Sequence, residues 1–278
     1  PKLVVFPVAE VAAIGRPLGI PLILDNTAAP LLARPLDHGA AIVIYSATKY
    51  LGGHGTSIAG AVIDGGKFDW RAVPERQPSL NTPDPSYHGM IWTEAAPRLG
   101  VPPYLAALRS SIQRDLGAPL SPFNAFQILQ GVETLPLRMR RHSETAAVVA
   151  QWLSRRPEVT RVIHPSMQGG EARARAGRVL HGGFGGLVGV ELAGGLDAGR
   201  RFIDALKLFY HVANIGDARS LAIHPASTTH SQLSAEEQVL TGVTPGYVRL
   251  SIGLEHAVDL LADLAQGLDA AGQLAKAA

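Results

Sequence analysis

Two short apolar runs constrain this chain more than anything else in it. Pro21-Leu22-Ile23-Leu24 ends in Asp25-Asn26-Thr27, and Ala41 to Tyr45 ends in Ser46-Ala47-Thr48-Lys49. The segment between them, Asp25 to Ala40, exceeds the dozen or so residues that a crossover between parallel strands needs, whereas a hairpin needs only two to five. The spacing therefore predicts a parallel pair whose carboxyl ends lie side by side. Asp25 and Lys49 then stand at one edge of an open sheet, which is where such sheets bind ligands.

The residues after Lys49 sharpen this expectation. Tyr50-Leu51-Gly52-Gly53-His54-Gly55 is a glycine-rich turn that lets backbone approach a ligand closely, and Ser46 and Thr48 offer hydroxyls beside it. Lys49 alone reads equally well as a surface lysine after a strand. Together with Asp25 and the glycine turn it matches the pair that pyridoxal phosphate needs, a carboxylate for the ring nitrogen and an amine for the aldehyde.

The rest of the chain can support such a site. With 278 residues, 46% of them apolar and 17% charged, it can bury one large core or two modest ones. No run approaches the roughly 18 apolar residues of a membrane span, and Pro1 opens no signal peptide, so the chain reads as cytoplasmic. The absence of cysteine excludes disulfides and thiolate metal sites. A net charge of +2 without a basic block gives no case for nucleic acid, and Arg173, Arg175 and Arg178 read as a solvated face.

Strands are expected at Lys2 to Phe6, Leu22 to Leu24, Ala41 to Tyr45 and Ile58 to Ile63, in a parallel sheet. Phe68 to Pro103, rich in proline and aromatics, reads as a long loop with anchors that want burial. Helices are expected at Tyr104 to Leu116 and at Pro122 to Leu153, the latter bending before Pro136. Pro165 to His181 reads as a weakly periodic connection. Strands return at Val159 to His164, Gly186 to Leu192 and Val248 to Ile252, before a last helix at about His256 to Leu274. The change of pattern divides the chain into 1–155, part of a cofactor domain, and 156–278, a small α+β domain.

Asp25-Asn26-Thr27, Ser46-Ala47-Thr48-Lys49-Tyr50, Leu129-Gln130-Gly131-Val132-Glu133-Thr134-Leu135, His224 to His230 and Val248 to Glu255 resemble the trans-sulfuration enzymes of cysteine and methionine metabolism. Ser86-Tyr87-His88-Gly89, Arg114 to Gly117, Ser121 to Phe126 and Ala213 to Leu221 are similar to the O-acetylhomoserine sulfhydrylase branch. The resemblance spans nearly the whole chain. It implies an α/β fold of the aspartate aminotransferase-like fold type I, with a truncated large domain of mainly parallel sheet and a carboxyl-terminal α+β domain.

The same resemblance implies pyridoxal 5'-phosphate as cofactor, Lys49 as the residue that carries it, Asp25 at the pyridine nitrogen, and Ser46 and Thr48 at the phosphate. Arg249 becomes the clamp on the substrate carboxylate, a role that suits a guanidinium fork on a strand. Asn214 falls near the substrate. The implied reaction is γ-replacement of O-acetylhomoserine by sulfide or methanethiol, giving homocysteine or methionine. A cystathionine γ-synthase or γ-lyase, or an inactive fragment with only a structural role, stays open. The resemblance further implies a homo-oligomer, a dimer of dimers. It also implies a preceding region with a phosphate-binding turn, a ring-stacking tyrosine and an intersubunit arm, none of whose motifs is in this sequence, and association with that amino-terminal part.

No metal is expected. His224 and His230 lack a third ligand at a recognisable spacing, and the Ser and Thr between them favour turn hydrogen bonds. His54 reads as a loop residue beside the Lys49 turn.

Overall fold

The computed structural model of the chain describes residues 2–272, and its named strands fall into two sheets. After helix α1 (Val8–Gly15), the first sheet is built from β1 (Ile23–Asp25), β2 (Ile42–Ser46) and β3 (Gly60–Asp64), in that order. β1 and β2 pair in parallel, with Asp25 opposite Ile44, as the length of the crossover required. β3 is antiparallel to β2, contrary to the expected all-parallel run. The connection from Ser46 to Gly60 contains no crossover helix, so the chain turns back on itself.

Lys2 to Phe6 is not a strand. Leu3 takes a φ of +44°, a left-handed conformation that interrupts an extended run. The segment instead lies near β1, where Leu3 to Phe6 and Leu24 line one cavity.

The expected long loop is organised by short helices, α2 (Pro78–Asn81) and α3 (Trp92–Arg98), before α4 (Pro103–Ala107). Its aromatics are indeed anchors. Trp70 stacks on Tyr104 with centroids 5.4 Å apart, and buried Trp70, Leu80 and Trp92 form a core with Ile42 of β2. A π-helical stretch, Leu108–Gln113, joins α4 to α5 (Arg114–Leu116). The next helical region splits where Pro136 demanded a break, into α6 (Pro122–Glu133) and α7 (Leu135–Leu153).

The second sheet is made by β4 (Val159–Ile163), then, after α8 (Gly170–Val179), by β5 (Leu187–Leu192), followed by α9 (Gly195–Ala205), β6 (Tyr210–His211), β7 (Leu221–Ile223), α10 (Ala235–Thr241) and β8 (Tyr247–Ser251), with α11 (Ala257–Gly272) last. Its order is β4-β5-β8-β7-β6, antiparallel except at β6 and β7. The helix α8 occupies the stretch expected to be a plain connection. Its weak periodicity reflects a helix with little to bury: Ala176 and Val179 face inward, while Arg178 reaches Glu171 at 2.7 Å in solvent. The end of the expected last helix, Gln273-Leu274, lies outside the described residues.

The main core lies between the second sheet and three helices. Val188, Val190, Val248 and Leu250 of the sheet meet Phe202 of α9, Leu260, Leu264 and Leu268 of α11, and Val149 and Leu153 of α7. The amino-terminal half of α7 packs elsewhere, with Leu135 and Met139 beside Tyr50 and Leu32 near the first sheet. One straight helix thus joins both cores.

His142, between those two halves of α7, is 0% exposed and donates from Nδ1 to the carbonyl of Ile252 at 2.6 Å. Burial pushes its pKa down from 6.5 to about 4. The unfolded chain takes up this proton below about pH 6.5 and the folded chain resists it until about pH 4. Stability from His142 is therefore present above pH 6.5 and lost as the pH falls through that window, by roughly 3 kcal/mol. His142→Phe should show a shallower fall of the urea midpoint between pH 6.5 and 4 than the parent; an equal slope would place the acid sensitivity elsewhere.

Candidate active site

The carboxyl ends of β1 and β2 are tied together before any functional side chain is considered. Asn26 extends the ladder, its N–H donating to Ile44 O at 3.0 Å. Its buried side-chain amide donates to Ala33 O at 3.1 Å and to the Tyr45 hydroxyl at 2.9 Å. Thr27 Oγ1 accepts from the Ser46 amide at 2.7 Å. Asn26 and Thr27 therefore hold the loop after β1 against the loop after β2, and leave Asp25 with an exposed side chain at the strand end. Asp25 Oδ1 accepts from the Thr27 amide at 2.9 Å, which orients the carboxylate. It lines a cavity of about 210 Å³ whose walls are mostly apolar, among them Leu24, Leu32, Phe184 and Leu187.

Lys49 sits half-buried in the turn after β2. Its Nζ donates to Asn214 Oδ1, across 165 residues of sequence. The backbone carbonyl of the same Asn214 accepts from Arg249 Nη2 at 3.1 Å. Lys49, Asn214 and Arg249 are thereby brought into one cluster. Asp25 shares the sheet end through the β1–β2 register, although the cavity it lines does not include Lys49.

Arg249 projects from β8, where Val248 and Leu250 on either side turn into the core. Burial lowers its pKa, and no carboxylate among the described residues forms an ion pair with it. Its Nε is buried without a hydrogen-bond partner. A guanidinium in this condition calls for an anion, because burying a charge without one is costly. Nη2 spends one hydrogen on Asn214 O, and the planar guanidinium keeps further N–H donors of the kind a carboxylate accepts.

The two hydroxyls beside Lys49 differ. Thr48 Oγ1 donates to Ala59 O at 3.3 Å and accepts from the Ala59 amide at 3.0 Å, so its hydrogen is engaged in joining the turn to the start of β3. Ser46 is half-buried at the strand end. His54 Nδ1 lies 2.7 Å from Gly52 O within its own loop. His224 uses both ring nitrogens, at 2.8 Å from Ser227 Oγ and 2.7 Å from Pro245 O, which makes it a strut of the turn it opens.

The residue that sequence reasoning missed is Arg138, only 5% exposed on α7. Its guanidinium donates to Tyr50 O at 2.7 Å, Leu51 O at 3.1 Å and Gly131 O at 2.6 Å, and its Nε to Thr134 Oγ1 at 3.0 Å. Arg138 and His142 lie one helical turn apart and both face the turn after Lys49, His142 meeting the Tyr50 ring edge-on at 5.3 Å. The signal was there: an arginine in the same inward row as Leu135, Met139 and His142. A second brace is the loop from Asn214 to Ser220. The Ala218 amide donates to Gly53 O at 2.8 Å, and Ser220 is held by Glu255, whose Oε1 accepts from its amide at 2.7 Å.

Known proteins share this chain's sequence and fold. The profile of the family described as Cys/Met metabolism PLP-dependent enzyme matches residues 1–269. An O-acetyl-L-homoserine sulfhydrylase of Leptospira meyeri is 49% identical over 96% of this chain and 62% of its own length. A homocysteine synthase of Schizosaccharomyces pombe is 44% identical over 94% of the chain and 61% of its own length. Among solved structures, one assigned as an O-acetylhomoserine (thiol)-lyase from Campylobacter jejuni, containing pyridoxyl-lysine monophosphate, superposes with a TM-score of 0.88 at 37% identity, over 97% of this chain and 63% of that one. A cystathionine gamma synthase from Xanthomonas oryzae reaches 0.77 at 34% identity, over 98% and 61%. The chain thus spans about three-fifths of the length of the curated relatives it matches.

The tightness of the Lys49 turn can be measured. Gly53 has φ +74°, and a Cβ there would lie 2.3 Å from Arg138 Nη1. Gly66 has φ +64° with nothing within 4 Å of the same atom. Gly53→Ala should destabilise the protein by on the order of 2 kcal/mol or more, and Gly66→Ala by about 1 kcal/mol from backbone strain alone. Equal losses in urea denaturation would show that the guanidinium does not crowd the turn.

Proposed function

The chain belongs to the Cys/Met metabolism PLP-dependent enzymes, and from that premise we propose that it serves a γ-replacement, converting O-acetylhomoserine and sulfide or methanethiol to homocysteine or methionine and acetate. The observation that carries this reading is the convergence of Lys49 and Arg249 on Asn214 at the sheet end that also bears Asp25. The 49% identical relative named as an O-acetyl-L-homoserine sulfhydrylase supports the substrate class.

Pyridoxal 5'-phosphate fits the residues present. Lys49 is engaged by a neutral amide and not by a carboxylate, so its amine can be given up to an aldehyde without stranding an acid. Asp25 offers an exposed, oriented carboxylate at the neighbouring strand end for a protonated ring nitrogen. When bound, the cofactor supplies an electron sink for charge that develops beside the amino group. Ser46 and Thr48 are the proposed phosphate donors, Thr48 by turning its hydrogen away from Ala59 O.

The chain's own residues then divide the work. Lys49 carries the cofactor and, once released, moves the proton at the substrate Cα and Cβ. Asp25 keeps the ring nitrogen protonated through a charge-assisted hydrogen bond. Arg249 binds the α-carboxylate, which fixes Cα relative to Lys49. Asn214, now on Lys49, exchanges that contact for the substrate. Acetate leaves from Cγ and the thiol adds there. The assembly proposed is a homo-oligomer, a dimer of dimers; what supports association with another chain is α6, where Phe123, Phe126 and Leu129 are 66%, 54% and 63% exposed.

Three outcomes test the reading. Borohydride reduction of the purified protein with its cofactor, then peptide mapping, should place the pyridoxyl group on Lys49; an adduct on Lys67 or Lys207 would reassign the site. Arg249→Lys keeps the charge but loses the fork, so KM for the amino-acid substrate should rise about tenfold or more with a lower kcat. An unchanged KM would mean that the carboxylate is bound elsewhere. Sulfide should outpace cysteine as the acceptor with O-acetylhomoserine, and the reverse preference would move the protein to the cystathionine-forming reaction.

A further inference from the structure

We propose that Arg138 is the positioning residue for Lys49, setting where its amine stands by holding the turn that comes after it. The proposal rests on the reading of Lys49 as the cofactor-bearing lysine. The turn from Lys49 to Gly53 is closed by backbone hydrogen bonds from Lys49 N to Ser46 O at 3.1 Å, Gly52 N to Ala47 O at 2.9 Å and Gly53 N to Lys49 O at 2.7 Å. The carbonyls of Tyr50 and Leu51 point out of it and are taken by one guanidinium, at 2.7 and 3.1 Å. That guanidinium is anchored at both its other edges, on Gly131 O at the end of α6 and on Thr134 Oγ1 at the junction of α6 and α7. Gly131 itself has no room for a side chain, since its Cβ would lie 2.4 Å from Gly52 O. Two helices therefore press on the turn, and the planar group of Arg138 is the member that sets the distance between them.

Only an arginine fills this place. The acceptors surround a planar fork, and an ammonium at the end of a lysine reaches at most part of the set while losing the fixed angles between donors. A change here reaches Arg249 and Asn214 only through the turn, because Arg138 makes no hydrogen bond to either. Displacement of the turn should thus move the amine of Lys49 directly, and the hold of Arg249 on the substrate carboxylate much less. A misplacement of about 1 Å can cost on the order of a hundredfold in rate.

The test uses the holoenzyme and Arg138→Lys. Its kcat should fall roughly 100-fold while KM for the amino-acid substrate changes by less than about threefold. Its visible absorption, titrated with pH, should show a shifted pKa for the cofactor–lysine linkage, a readout that a general loss of stability does not move. Val149→Ala, in the main core and away from the turn, is the control matched for destabilisation. Should Arg138→Lys fail to fold, Thr134→Val removes the acceptor that aims Nε together with the hydroxyl's own bond to Gly131 O at 3.2 Å, and kcat should fall severalfold with the same spectral shift. A kcat and titration like those of the parent in whichever variant folds, or an equal loss in Val149→Ala, would overturn the proposal. Mapping the reduced adduct of the parent to a lysine other than Lys49 would instead overturn the reading on which it stands.

Discussion

The turn after β2 presents carbonyls that neither a strand nor a helix can satisfy, and the site is built around meeting that demand. Gly52 O is met by His54, Gly53 O by the Ala218 amide, and those of Tyr50 and Leu51 by Arg138. Each such group left buried and unpaired would cost about 1–3 kcal/mol. Beyond His54 the donors come from α7 and from the loop before β7, so satisfying the turn also draws the carboxyl-terminal half of the chain onto the first sheet. Asn214 reaches Lys49 because Gly216 and Ala218, in the same loop, are already fastened. The Gly216 amide donates to Ser251 Oγ at 3.1 Å, and its φ of +70° lets the loop lie against the Tyr50 ring, where a Cβ would come within 2.6 Å.

Charge is distributed to leave that site wanting an anion. Asp217, buried beside Asn214, is taken by Arg219 at 3.2 Å, and Glu255 is taken by Ser220. Arg138 faces carbonyls. Lys49 faces an amide. Arg249 is left with a buried, unpartnered Nε. The two neighbouring carboxylates are thus committed to structure, and the cations that converge on Asn214 face neutral partners. A phosphate ester and an amino-acid carboxylate have the complementary charge and geometry.

α7 carries much of this arrangement. Its first turns hold the Lys49 turn through Arg138 and His142, while Ala146, Val149, Ala150 and Leu153 continue into the main core. The break at Thr134 before Pro136 ends α6 where Gly131 can touch Gly52, and frees the Thr134 hydroxyl for Arg138. A bend that is legible as a proline effect is therefore also the mount for the guanidinium.

Local information determined the parallel β1–β2 pair, the helix break, and the residue types at the site, because crossover length, proline geometry and the Asp-Asn-Thr and Ser-Ala-Thr-Lys motifs are written within a few turns of chain. The resemblance carried by those motifs was enough to reach the family. Three things were decided by tertiary structure alone. β3 runs antiparallel because the connection from Ser46 to Gly60 folds back without a crossover helix. Lys2 to Phe6 has the composition of a strand, but Leu3 turns out of the extended region, and no residue pattern reports that. Arg138, Asn214 and Glu255 acquire their roles across 88, 165 and 35 residues respectively, distances over which a sequence records the side chain but not its neighbour. The sequence by itself thus supplied the residue types of the site and the parallel pairing of β1 with β2, and packing decided which polar groups meet, since hydrogen-bond partners of buried groups are set by whatever the folded core brings within reach.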